Sequence, residues 1–294
     1  RTDGFVAATD IAPTILDRLG VDVPEEMSGR PIRAEGERDA AAVAERTDRM
    51  RIVAGRRSPV ILDNLMIWLG LALVASLLSR GRLAGVAFSL GGLATLYLPL
   101  LLLVGGAVQP ALIGERLIVG LGAPALAALT LLAARGWLAL AVACAATVGA
   151  YALDVIAGSP LTARSLLGPN PGLGVRFFGI GNELESSLVV LTTVGAGAAL
   201  AAARARLGRA LSMRAAIISF LAVGGVFAAV FAAGRFGADV GAAIVFPAAA
   251  AIAALAVPGA LARRRLVLLV IGAPVAGVAL LALADLVLGG DAHL

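Results

Sequence analysis

The sequence predicts an all-α protein: a polytopic bundle of about eight transmembrane helices preceded by a short soluble segment. Three observations predict it. The 294 residues are 60% hydrophobic and 15% charged, whereas about a quarter of the residues in a soluble domain are charged. The excess is uneven, because residues 1–57 are polar and charge-rich while apolar runs separated by short charged breaks fill the chain from Val60 to Leu288. The runs lack period-two alternation, so helices rather than a β-barrel satisfy the backbone inside hydrocarbon.

The chain reads as two parts, residues 1–57 and residues 58–294. It begins at Arg1 without a methionine or a signal peptide and is read as a piece of a longer protein. All 24 basic residues are arginine, a usage that fits a high-GC bacterial genome. The single cysteine, Cys144, lies in an apolar run and has no intramolecular disulfide partner.

In the first part, Thr9 or Asp10 is placed to cap a short helix that tolerates Pro13 in its first turn. Ile15, Leu16 and Leu19 form its apolar stripe, and Gly20 ends it. The stretch TDIAPTILDRLGVDVPEEMSGRPI resembles the closing segment of alkaline-phosphatase-superfamily ectodomains, the sulfatases and phosphodiesterases. The resemblance covers about 30 residues. It implies a metal-dependent hydrolase of phosphate or sulfate esters whose metal ligands and nucleophile lie upstream, so no catalytic residue is carried over. Residues 33–57 are charged and alanine-rich and are expected to form a solvated helix leading into the first span.

Eight apolar runs are long enough to cross a bilayer, at roughly 60–78, 84–106, 117–134, 137–157, 187–203, 215–234, 238–258 and 266–288. The third follows Pro110, Glu115 and Arg116, which leaves room for a tilted or re-entrant element. Their connections fall into two sets. One holds ten arginines and no acid, namely Arg80, Arg82, Arg135, Arg204, Arg206, Arg209, Arg214 and Arg263 to Arg265. The other holds Arg116, Arg164, Arg176 and Arg235. The positive-inside rule makes the first set cytoplasmic, with the N-terminus and C-terminus outside the bacterial cytoplasmic (inner) membrane. Arg46, Arg49, Arg51, Arg56 and Arg57 run against that reading. The acids after residue 57 support it, since all fall at or near the outer ends of the spans.

The candidate site lies on that outer side. The long loop 158–186 carries leucines and phenylalanines among its glycines and prolines, which predicts a folded, partly membrane-dipping hairpin. Asn182 and Glu185 have the spacing of a capping box at the start of the fifth span, and Arg176 is placed to pair with Glu183. The tight turn GRFGAD holds Arg235 and Asp239 at membrane level, where charge is costly and marks function by default. Asp285, Asp291 and His293 follow at the end of the last span. Arginines and acids at one depth suit a phosphate and a divalent cation together. Arg176, Asn182 and Arg235 are therefore the candidate substrate-binding residues. Glu183, Asp239, Asp285, Asp291 and His293 are the candidate metal ligands, for magnesium or calcium.

The segments GPNPGLGVRFFGIGNE, GRFGAD and GGDAHL together resemble an uncharacterised group of bacterial multi-pass membrane proteins, a resemblance that brings no activity with it. There is no Walker loop, HExxH, CxxC or GxSxG motif. The net charge of +5 is read as topology and anionic-lipid contact, with no nucleic-acid partner. These features predict an envelope protein that binds or processes a phosphate-bearing lipid or a lipid-linked glycan. Two alternatives stand beside it, a transporter of a small solute or ion using the outer charges and a membrane anchor for a hydrolase ectodomain.

Overall fold

A computed structural model describes residues 4–6, 8–24, 27, 29–78, 81–169, 179–208, 211–233, 236–237, 239–257, 268, 272–280 and 282–283. The described residues form helices and loops and contain no strand. The helices are α1 (Ile11–Arg18), α2 (Ala40–Leu78), α3 (Arg82–Val108), α4 (Leu112–Ala133), α5 (Trp137–Ile156), α6 (Asn182–Leu207), α7 (Met213–Ala232) and α8 (Val240–Leu255).

Six helices, α2 to α7, are long and apolar enough to cross a membrane. The expected seventh span appears as α8, which is apolar but only 16 residues long. The expected eighth lies largely outside the described residues, apart from helical turns at 272–280. The run from 117 is an ordinary helix that begins earlier, at Leu112.

The N-terminal segment folds on itself. Helix α1 ends where Gly20 N–H and Val21 N–H donate to Asp17 O and Leu16 O, the paired bonds of a Schellman ending. Asp10 does not cap α1. Its carboxylate accepts from Arg30 N–H at 3.0 Å, while the Thr14 hydroxyl accepts from Ile32 N–H at 2.8 Å. The two side chains thus bind the returning chain to the helix. Ile15 and Leu19 of the expected stripe stay exposed, as does Ile11.

Helix α2 joins what the sequence divides. It runs unbroken for 39 residues from the charged segment through the first apolar run, with Pro59 inside it. Its buried residues are Arg49, Val53, Val60, Asn64, Trp68 and Ala72. Their spacing of about four places them along one helix face. The opposite side exposes Leu62, Met66, Leu69, Leu73 and Leu77. Apolar exposure on this scale is a liability in water and is the normal surface of a helix facing lipid.

In the bundle, α3 packs against α2, α4 and α5, and α6 against α5, α7 and α8. Pro99 interrupts the hydrogen-bond ladder of α3. Helix α5 supplies bonds at that turn, where Thr147 Oγ1 donates to Leu96 O at 2.9 Å and Tyr151 Oη to Pro99 O at 2.8 Å. A neighbouring helix commonly serves carbonyls near an intramembrane proline in this way.

Candidate functional site

Every described acid after residue 57 gathers at one end of the bundle. Asp63 pairs with Arg116 at 2.7 Å. Glu115 opens α4, Asp154 closes α5, Glu183 and Glu185 open α6, and Asp239 precedes α8. Arg82, Arg135, Arg204, Arg206 and Arg214 border the opposite helix ends.

The charged half of α2 docks on the acidic end. Arg49 Nη2 meets Glu115 Oε1 at 2.7 Å, and both side chains are buried. Arg56 Nη1 reaches the other Glu115 oxygen at 3.2 Å and Pro110 O at 2.9 Å. One carboxylate therefore accepts from two guanidinium groups. Arg57 spans three acceptors, donating to Leu166 O at 2.6 Å, to Gly168 O and to the Glu183 carboxylate. Only a planar multi-donor fork holds such a set at once.

The loop after α5 is folded up to Pro169. Both Asp154 oxygens accept from it: Leu161 N–H at 3.0 Å, Thr162 N–H at 2.8 Å and the Thr162 hydroxyl at 2.6 Å. It lies directly on α3 at Gly106, where a Cβ would stand 2.6 Å from Leu161 O and 3.0 Å from Ser165 N. Ser159, Thr162, Ser165, Leu166 and Leu167 are buried there. The part of the expected hairpin from 170 to 178 lies outside the described residues.

A second polar centre lies between α6 and α8. Asp239 Oδ1 accepts from Gly241 N–H at 3.1 Å and caps α8. Glu185, in the first turn of α6, is turned toward the same place. A Cβ on Gly241 would stand 3.0 and 3.1 Å from the Glu185 oxygens and 3.2 Å from Asp239 Oδ1. The absent side chain of Gly241 thus lets both carboxylates pack close against the α8 backbone, and their oxygens take the room that a Cβ would fill. Both residues are buried, and each stands at a helix N-terminus, whose dipole favours negative charge. The Ile180 N–H to Gly237 O bond, 3.1 Å, ties the two approaches together.

Two turns further along the same helices a narrow cleft opens between α6, α7 and α8. Thr192, Phe220, Gly224 and Phe246 are among its lining residues, and its interior offers about 10 Å³, room for one water-sized group. Thr192 follows Glu185 by seven residues and Phe246 follows Asp239 by seven. A seven-residue step returns to nearly the same helix face about 10 Å along the axis. Thr192 Oγ1 is buried without a hydrogen-bond partner, although the neighbouring Thr193 hydroxyl donates to Val189 O.

The sequence-predicted residues fall as follows. Asn182 is the first residue of α6 and Gly181 holds the N-cap position, so Asn182 is not the cap. Glu183 is largely exposed and paired with Arg57, whereas Asp239 shares its space with Glu185. Arg176, Arg235, Asp285, Asp291 and His293 lie outside the described residues. Among the described residues no three histidine, cysteine or acidic side chains group as a metal site. Sequence reasoning assigned no chemistry to Arg49, Arg56 and Arg57, and read Glu185 as a capping residue. The available signal was the helical spacing of Arg49, Val53, Arg56 and Val60, which places two arginines on the face of two valines.

In comparisons with known proteins, no family model, curated protein or solved structure matches the chain. The class is therefore set by the fold itself: an all-helical chain with several helices of membrane-crossing length, compatible with an integral membrane protein.

Proposed function

We propose that this is a multi-pass protein of the bacterial cytoplasmic membrane whose outer face binds or processes a phosphate-bearing lipid or lipid-linked envelope glycan. The observation that carries the reading is the alignment of the buried Glu185 and Asp239 carboxylates with the cleft two turns below them. A polar pair above an apolar slot matches an amphiphile with a charged head and a hydrocarbon tail. In this reading Glu185 and Asp239 would hold a divalent cation, which would supply charge neutralisation to the substrate phosphate, as hard oxygen ligands permit. The tail would enter beside Phe220 and Phe246, parting the helices that line the cleft. Arg176 and Arg235 are assigned to the anion. The acidic end faces outward because the opposite end carries the arginines of the short connections. The alkaline-phosphatase-like segment adds phosphate chemistry on the same side, and further ectodomain residues would cover Ile11, Ile15 and Leu19.

The test uses the full chain in nanodiscs and the binding of a long-chain isoprenyl phosphate, with magnesium and with chelator. Glu185→Gln and Asp239→Asn should each weaken binding at least tenfold and remove its magnesium dependence. Thr192→Phe should weaken binding while leaving that dependence intact. Wild-type affinity in all three variants would sink the proposal.

A transporter is the second reading, favoured by the burial of two acids at membrane level. It predicts that Glu185→Gln abolishes cation-dependent solute flux in proteoliposomes while isoprenyl phosphate binding is absent even in the wild type.

A further inference from the structure

A small polar cavity lies where α2 meets the loop after α5. Its interior offers about 40 Å³, and it is lined by Ala42, Glu45, Arg46, Arg49, Gln109 and Arg164. Three guanidinium groups and one carboxylate share this small space, so its net charge favours an anion.

The local charges decide the matter. Arg49 is matched by Glu115, but Glu115 is also shared with Arg56. Arg57 is matched by Glu183, and Arg51 by Asp48. Arg46 lies over the Phe5 ring, 5.9 Å from its centroid. Among the described residues neither Arg46 nor Arg164 forms an ion pair. Arg46, Arg49 and Arg164 line the cavity with Glu45, and Arg49 is paired with Glu115, which leaves an excess of one positive charge. Glu45 is exposed and stands one helical turn from Arg49, so, among the described residues, the carboxylate it brings to the cavity rim leaves Arg46 and Arg164 without an ion pair of their own.

The protein has also used up the internal acceptors that would otherwise occupy these arginines. The Arg164 carbonyl takes Arg49 Nε at 3.0 Å and the Pro110 carbonyl takes Arg56. Arg49 is thereby held rigid, and the donors of Arg46, Arg164 and Gln109 are left for a ligand. Guanidinium forks match carboxylate and phosphate oxygens alike, and several donors around one space suit a phosphate, which offers more oxygens than a carboxylate.

We infer that this cavity is a phosphate-binding site at the membrane surface, taking either the phosphate of an anionic lipid headgroup or free phosphate. The inference stands apart from the Glu185–Asp239 reading and uses none of its residues.

The experiment takes the full chain in detergent for isothermal titration with inorganic phosphate. The same protein is placed in nanodiscs containing phosphatidylglycerol or phosphatidylcholine, and retained lipid is counted by native mass spectrometry. Saturable phosphate binding assigns the free anion, and selective retention of phosphatidylglycerol assigns the headgroup. Arg46→Gln and Arg164→Gln should each weaken whichever binding is seen by about tenfold, and Arg51→Gln should leave it unchanged. Neither side chain carries an ion pair, and Arg46 loses only its contact with the Phe5 ring, so both variants should remain folded. The proposal is overturned if the wild type shows neither binding, or if binding survives in the Arg46→Gln, Arg164→Gln double variant. Equal loss in Arg51→Gln would also overturn it, since it would mean bulk charge attraction alone.

Discussion

Glu115 and Arg49, 66 residues apart in the chain, form a buried ion pair in which the carboxylate also accepts from Arg56. The pair fixes the charged half of α2 to the start of α4. It converts a segment that reads as solvated into part of the packed structure.

Removing Glu115 should therefore cost far more than removing an exposed acid. Glu115→Ala leaves Arg49 buried without a counter-charge, and breaking such a pair typically costs about 3–5 kcal/mol. Thermal unfolding of the full chain in detergent should show a large drop for Glu115→Ala. Asp48→Ala, which disrupts only the exposed Arg51 pair, should shift stability by less than about 1 kcal/mol. Similar shifts for both variants would contradict the burial of the pair.

Arg57 makes a prediction about shape rather than charge. Lysine keeps the positive charge but cannot donate at once to Leu166 O, Gly168 O and Glu183. Arg57→Lys should accelerate amide exchange at Leu167 and Gly168, read by hydrogen–deuterium exchange. Protection at Leu161 and Thr162 should persist, because Asp154 holds those amides independently.

Orientation is testable with two exposed positions at opposite ends of the bundle. Ala157 follows α5 and Ala205 lies in the last turn of α6, and both are exposed. The native Cys144 is buried and should stay silent. An impermeant thiol reagent applied to intact cells should label Ala157→Cys and spare Ala205→Cys. The reverse pattern would place the acidic end in the cytoplasm.

The apolar helices were legible because their signal is local: a run of leucine, alanine and valine long enough to cross is visible without knowing its neighbours. The clustering of acids at one end was legible for the same reason, since topology follows from counting. The lower half of α2 was not. Arg49, Arg56 and Arg57 read as solvated charge because their partners Glu115, Glu183 and the loop carbonyls lie 50 to 130 residues away. Glu185 misled by its surroundings, since Asn182 three residues earlier gives it the look of a local cap. Its actual neighbour, Gly241, is brought near only by the packing of α6 on α8. The shorter α8 shows the converse limit, because a continuous apolar composition from Val240 to Val257 does not reveal where the helix ends.

The unbroken α2 has a mechanical consequence. At 1.5 Å per residue its 39 residues make a rod of about 58 Å, nearly twice the hydrocarbon thickness. Whatever sits on its N-terminal end is carried as on a mast, with both height and compass bearing set. Each residue inserted between Arg49 and Val60 would raise that load by only about 1.5 Å but swing it through about 100°. A flexible tether would absorb such a change as slack, whereas here the penalty must follow the angle, returning to a minimum near each completed turn. The separation of the two parts of this protein is thus governed by phase rather than by length.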